Sequence, residues 1–411
     1  MFKKVMLMAL VFCVSSIAAD FTQFLGENRN GIVNSGKNLL KKWPGEGLKE
    51  FWRLKVGSGY AAPVVVGDKM FFLDYDLPKE EDVLRCLNMK DGSEVWKYGY
   101  PSKIKPTKYD YSRTVPAVSG KYIVTFGTSC MVSCLEKDSG KLLWQKDLVK
   151  EYGAKIPTWA AGQNPLIDGG KVVILISGDK VQMAAFDLAS GKVIWETPWD
   201  SNAGLTHNSI TAMTLEGEKF YIGCSKKSTF GVSAANGKLL WEHPGWTVKT
   251  ANIPAPLVIG KDRIFLTGGY GGGSLILGLK KNGTKIETEE IVRIKAKDFG
   301  SHVHTPILYK SSIYGVSGGE LTCMDLDGKV IWKTKGAKIG LGSYLIIDDL
   351  LYVLGEKGML LLVEPSPSEY KEISRFQALT GEQIWSPLTL SGSKLIVRSM
   401  TEMVCLELEQ K

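Results

Sequence analysis

Five tryptophans follow glycine turns at a nearly constant spacing, and that spacing restricts the chain to a ring of repeated sheets. The copies are Gly92-Ser93-Glu94-Val95-Trp96, Gly140-Lys141-Leu142-Leu143-Trp144, Gly191-Lys192-Val193-Ile194-Trp195, Gly237-Lys238-Leu239-Leu240-Trp241 and Gly328-Lys329-Val330-Ile331-Trp332. The first four are separated by 48, 51 and 46 residues, and the last gap, 91, is about two periods. A missing copy is read at Gly283-Thr284-Lys285-Ile286-Glu287, with Glu287 in the tryptophan place. A 20–50-residue period carrying four strand-like runs is the pattern of a β-propeller. Each indole is expected to pack between adjacent blades, and the glycine four or so residues earlier to take a positive φ.

The strands can be walked around the ring. Prolines or their equivalents open the innermost strands at Pro63, Pro116, Pro165, Pro256, Pro306 and Pro387, with degenerate openings at Asn208-Ser209-Ile210-Thr211 and Gly342-Ser343-Tyr344, making eight blades. Proline suits a strand's first residue, where no ladder bond is lost. The last blade has only three strands, ending with Val404–Leu408, whereas Lys49–Leu54 is a fourth strand with no blade before it. The N-terminal strand is therefore expected to complete the C-terminal blade and remove an exposed edge. Trp385 mimics the docking motif but precedes Ser386-Pro387, so it is assigned to the loop entering blade eight, and the fourth strand of blade seven to Glu369–Phe376.

Lys3 and Lys4 precede an apolar run from Val5 to Val14 and then Ser15-Ser16-Ile17-Ala18-Ala19, which reads as a signal peptide over residues 1–19, with one propeller domain over 20–411. Phe12, not a small residue, precedes Cys13, so no lipoprotein signal is expected. The mature protein is expected to be periplasmic or secreted, monomeric and without a transmembrane segment. Losing Lys3 and Lys4 lowers the formal charge from +8 to +6. The remaining lysines are scattered without interleaved aromatics, which disfavours nucleic acid.

Six cysteines remain after Cys13. Cys86, Cys134, Cys323 and Cys405 occupy one position in four repeats, so they are expected to be buried free thiols and not disulfides.

The Gly-Lys-x-x-Trp copies resemble the repeats of the pyrroloquinoline-quinone-like (PQQ-like) propellers. Gln23-Phe24-Leu25-Gly26-Glu27-Asn28-Arg29-Asn30-Gly31-Ile32, together with Trp52 and Gly57–Pro63, is similar to the start of an exported BamB-like subgroup. The resemblance covers the whole mature chain and implies an all-β fold, a single eight-bladed propeller with four-stranded antiparallel blades. It says less about activity, since one propeller hosts many.

Loops entering the innermost strands of a propeller converge at one channel mouth, the default ligand site. The residues placed there are Tyr60, Arg113, Trp159, Asn164, His207, Asn208, Asn252, His302, His304, Ser343 and Trp385. An arginine and an indole facing one cavity suit an anionic, flat or sugar-like ligand. His302 and His304 alternate and could face one side, but a metal site needs a third ligand. Quinoprotein dehydrogenases, by the resemblance, hold calcium with carboxylates and amides and use an aspartate base. Here the strand starts lack Asp and Glu, and only Asp110 and Glu382 lie nearby. The Gly268–Gly273 run lies between two strands without a following helix, so it reads as a loop at the mouth and not a phosphate cradle. The expectation is a non-catalytic scaffold without a cofactor, engaging envelope proteins, glycans or a small ligand; the alternative is an oxidoreductase using PQQ and calcium.

Overall fold

The computed structural model describes residues 20–102, 109, 111–199, 204–248, 250–334, 336 and 338–409, so the expected leader and Asp110 lie outside it. Eight four-stranded antiparallel units are arranged as the repeats predict. Blade two is representative: Ala117–Ser119, Tyr122–Phe126, Met131–Glu136 and Leu142–Asp147. Its neighbours cover both faces of the two central strands, which is why these read as continuous apolar runs. In blade three, Lys171–Leu175 is buried at every position but its first, whereas the outer strand Val193–Pro198 alternates. One short helix, Leu148–Tyr152, follows blade two, capped by the Asp147 side chain and by Gly153 at φ +69°.

Four of the docking tryptophans hydrogen-bond their blade to the next. Trp96 Nε1 donates to the Lys137 carbonyl (3.2 Å), Trp144 to Leu188 (2.9 Å), Trp332 to Ser366 (3.0 Å) and Trp52 to Met89 (2.8 Å). A bulge just before the indole re-aims it in the strands bearing Trp96, Trp144, Trp195, Trp241, Trp332 and Trp52. The motif glycine has two jobs. Gly140, at φ +71°, makes the turn, and a Cβ there would lie 2.6 Å from the Trp96 ring of the preceding blade.

The register also explains the cysteines. Cys86, Cys134, Cys323 and Cys405 are paired across the ladder with Trp96, Trp144, Trp332 and Trp52. They face the same neighbour in four places, and all are buried and free.

Blade five departs from the expectation. Its outer hairpin, Gly273–Asn282 with Lys285–Ile294, is longer than the others. The bulge that precedes each docking tryptophan falls here between the pairs Ile276↔Val292 and Leu277↔Glu290. Val292, not Glu287, is therefore the structural counterpart of the tryptophan. Val292 and Ile294 cover Gly328 of blade six in place of an indole. Counting from the glycine turn misplaces the docking position here, because the longer hairpin carries that turn outward.

Glu50–Lys55 pairs antiparallel with Glu402–Glu407 and completes blade eight. The fourth strand of blade seven is Lys371–Gln377, and Trp385 lies beyond it in the loop entering blade eight, as read. What the repeats did not announce is the path of residues 20–48. Phe21 bridges Val65 in blade one, and the Thr22 carbonyl accepts from Val118 N in blade two. Arg29 donates to the carbonyls of Pro165 (3.1 Å) and Ile210 (3.4 Å), in blades three and four. Ile32–Val33 then runs parallel to Ile346–Ile347 in blade seven. The segment crosses the central channel before its Trp43 packs on Tyr352 and Phe376 outside. No helix among the described residues is long and apolar enough to cross a membrane.

Candidate functional site

The loops entering the inner strands enclose a cavity of about 400 Å³. Tyr60, Arg113, Trp159, Asn164, His207, His304 and Trp385 all line it, brought together from blades one, two, three, four, six and eight. Asn208, Asn252, His302 and Ser343 do not. Asn208, Asn252 and Ser343 are all buried, and the main-chain carbonyl of Asn252 accepts from the backbone N–H of His207. His302 sits outside, edge-on to Tyr270 and against Gly269. His302 and His304 are in a loop and not on a strand, so the expected alternation does not hold and their rings part.

Polar residues at strand starts have a structural duty. The inner strands of neighbouring blades are too splayed for a continuous ladder, so their free backbone groups need side-chain partners. Asn164 Oδ1 accepts from Val115 N at 2.6 Å, and its Nδ2 donates to Ser209 at 2.9 Å. Thr305 Oγ1 accepts from Ala255 N, and Thr389 Oγ1 donates to the Pro63 carbonyl. Asn164 thus laces blades while forming part of the wall.

The rest of the wall is aromatic. Trp385 stacks with Tyr60 at 5.2 Å and with Tyr109 at 6.0 Å between ring centroids. Tyr109 meets Trp159 edge-on, and Trp159 stacks with Tyr270 at 6.0 Å. Arg113 lies 5.7 Å from the Tyr60 ring centroid and donates to the Tyr109 carbonyl. Trp159, Ala160, Tyr270 and Gln383 all have positive φ, 69°, 66°, 54° and 59°. Non-glycine residues held this way cluster where surrounding structure over-determines a site.

Two wall histidines are neutral. Burial, with Arg113 nearby, pulls the His207 pKa down to about 3, and burial alone holds His304 at about 4. His207 Nε2 is 2.9 Å from the Thr158 carbonyl and therefore carries the proton. Nδ1 is left as a buried acceptor without a partner. Arg113 is the only charged residue among the described lining residues. No group of three or more His, Cys, Asp or Glu among the described residues is placed to hold a metal ion. Glu382 is exposed in its loop and does not line the cavity.

Several lining residues escaped the sequence reading. Phe24 comes from the channel-crossing segment and Tyr109 from a loop between blades, neither at a repeat position. Tyr270 lies within the glycine run, which does sit at the mouth as read, between the strands Arg263–Gly268 and Gly273–Asn282.

The family model described as "Outer membrane protein assembly factor BamB" matches residues 79–334, more than half of the chain. Among curated proteins, the outer membrane protein assembly factor BamB of Moranella endobia is 24% identical over 225 residues, 53% of this chain and 52% of that protein. The chain thus spans about half the length of that relative. BamB of Yersinia pestis is 19% identical over 296 residues, 69% of this chain and 70% of that protein. Among solved structures, BamB from Moraxella catarrhalis superposes with a TM-score of 0.61 at 14% identity, covering 89% of this chain and 98% of that one. A quinohemoprotein alcohol dehydrogenase from Pseudomonas putida gives 0.65 at 12% identity, covering 96% and 81%. These superpositions show a shared fold. The chain belongs to the BamB family of PQQ-like repeat propellers.

Proposed function

We propose that this BamB-family propeller works in the cell envelope, on the periplasmic side or secreted, as a binding scaffold and not a catalyst. It engages its partner, an envelope protein or glycan, at the aromatic mouth. The observation that carries this is the wall itself: residues from all eight blades and the channel-crossing segment form one preorganised cavity containing a cation, two neutral imidazoles and no described carboxylate. Such a wall suits binding, and among its described lining residues no carboxylate is positioned as a base. The printed names of the relatives, outer membrane protein assembly factors, support an envelope role.

The quinone alternative is not favoured by the donor set. Calcium takes roughly six to eight oxygen ligands. The wall offers Asn164, whose amide is already committed to Val115 and Ser209. The described residues do not fit a calcium-bound quinone, and no reaction step is assigned to one.

The test is photo-crosslinking in the native envelope. Tyr270, 44% exposed at the rim, is replaced by a photoreactive residue, and Lys121, at the far end of the blade-two inner strand, serves as the control. Adducts from position 270 and none from 121 are expected. Adducts from 121 alone, or from neither, overturn the reading.

A further inference from the structure

At three seams an indole lies on the glycine turn of the following blade: Trp96 on Gly140, Trp144 on Gly191 and Trp195 on Gly237. Between blades five and six, Val292 and Ile294 take that seat over Gly328. Branched aliphatic side chains reach less far from a strand than an indole. The outer rim carries an open groove of about 510 Å³ at this seam. Its floor is apolar, built by Val292, Ile294 and Val330. Its walls bring Arg293, Lys295, Lys297, Lys329 and Lys333 together against the single carboxylate of Asp298. None of these residues lines the mouth.

The other carboxylates near the groove are engaged elsewhere. Glu290 bridges Arg293 at 2.5 Å and His243 at 3.1 Å. Asp327 reaches Arg263 at 3.6 Å. Asp325 accepts from the backbone of Asp327 (3.0 Å) and Lys329 (2.8 Å) within its own turn. Lys333 Nζ donates to the Lys297 carbonyl at 3.2 Å, tying blade six to the loop that leaves blade five. Lys295, Lys297 and Lys329 are exposed, and none makes an ion pair with a described residue. Like charges gathered in one groove repel, and an acidic occupant relieves that repulsion.

We propose that this groove docks an acidic segment of a partner protein, with apolar side chains on Val292, Ile294 and Val330 and carboxylates on Lys295, Lys297 and Lys329. In an extended segment successive side chains point to opposite sides, so alternating apolar and acidic residues place one set on the floor and the other at the cationic rim. A small anion would meet the lysines and leave the floor bare. An anionic membrane would reach the exposed ammonium groups without entering the groove. A nucleic acid strand would find no aromatic side chain among the described lining residues on which to stack a base. The groove is a contact additional to the mouth, so the two can fail separately.

The experiment titrates the full mature chain with a capped, fluorescein-labelled pentapeptide that alternates glutamate with phenylalanine, read by fluorescence anisotropy. Two comparators carry glutamine for glutamate or alanine for phenylalanine. The parent peptide is expected to bind at least about tenfold more tightly than either comparator. Its binding should weaken severalfold as salt rises from roughly 50 to 300 mM. Lys297→Glu combined with Lys329→Glu should weaken it about tenfold or more. Lys121→Glu combined with Lys180→Glu, the same change of charge on blades two and three, should leave it within about twofold of the unaltered chain. Melting curves confirm that both double variants are folded. Equal loss in the two double variants marks a diffuse charge effect and overturns the groove. Equal binding of the glutamine peptide overturns the acidic requirement, and equal binding of the alanine peptide overturns the apolar seat. If the parent peptide does not bind, the proposal falls. If phosphatidylglycerol vesicles bind in its place and Lys297→Glu with Lys329→Glu releases them, the face is a membrane contact instead.

Discussion

Trp144 lies against Gly191 of the next blade: its indole donates 2.9 Å to the Leu188 carbonyl, and a Cβ on Gly191 would sit 2.7 Å from the ring. The glycine is held at φ +68° by its own turn, so the contact and the turn depend on one absent side chain. Gly191→Ala is expected to cost about 1–3 kcal/mol, from left-handed strain and an overpacked seam. Chemical denaturation measures it. Gly283→Ala, where nothing lies within 4 Å, carries the turn penalty without the clash and should cost less.

The N-terminal segment does two separable things. Deleting residues 20–55 removes the strand that completes blade eight and should lower the melting temperature about as far as deleting 394–411. Deleting 20–48 alone keeps Glu50–Lys55 and should leave a closed but less stable ring. Arg29→Ala should cost about 1–3 kcal/mol by stranding the carbonyls of Pro165 and Ile210. An N-terminal deletion of 20–55 that melts like the intact protein contradicts the closure.

The thiols should be reduced and inert in the folded protein. Burial pushes Cys86 up to about 11 and Cys130, Cys134, Cys224 and Cys405 up to about 12, so the thiolate is scarce at neutral pH. Alkylation at pH 8 should label none of these appreciably in the native state, and all of them in denaturant without reductant. Mass spectrometry that finds a bridged peptide rules this out.

The two wall histidines make stability pH-dependent. Their folded pKa values, about 3 for His207 and about 4 for His304, lie below the unfolded value of 6.5. The unfolded chain therefore takes up protons first, and stability present above pH 6.5 is lost as pH falls toward 4 and 3. From pH 7 to 5 each imidazole accounts for about 2 kcal/mol. His207→Gln, which titrates nothing, should flatten that slope in urea melts at the two pH values. An unchanged slope would show that His207 is not the titrating group.

Pyrroloquinoline quinone with calcium should leave the tryptophan fluorescence unchanged and acquire no new absorbance band in the protein's presence. A saturable change that calcium chelation reverses would revive the oxidoreductase alternative.

The mouth was legible in part. Tyr60, Arg113, Trp159, Asn164, His207, His304 and Trp385 were found because strand starts in a propeller are equivalent by topology. Asn208 and Asn252 share that position but are buried away from the cavity, and only the Asn208 amide turns to backbone, that of Cys224. Tyr109 and Phe24 belong to no repeat and left no periodic signal.

The amino-acid sequence by itself determined the ring, its eight blades, its closure by Glu50–Lys55 and the burial of the repeated cysteines. Those features follow from local chemistry repeated in register: a glycine turn, an apolar strand, and an indole seated on the next turn. Only the tertiary structure decided that Val292 replaces the indole in blade five, that residues 20–33 cross the channel, and that Tyr60 and Tyr109 both stack with Trp385. These depend on which surfaces meet after closure. A residue's partners there come from distant segments, as Gly47 with Phe376, or Trp43 with Tyr352, illustrate. No local spacing encodes such distances, because the chain's path between blades is set by which cavities remain to be filled.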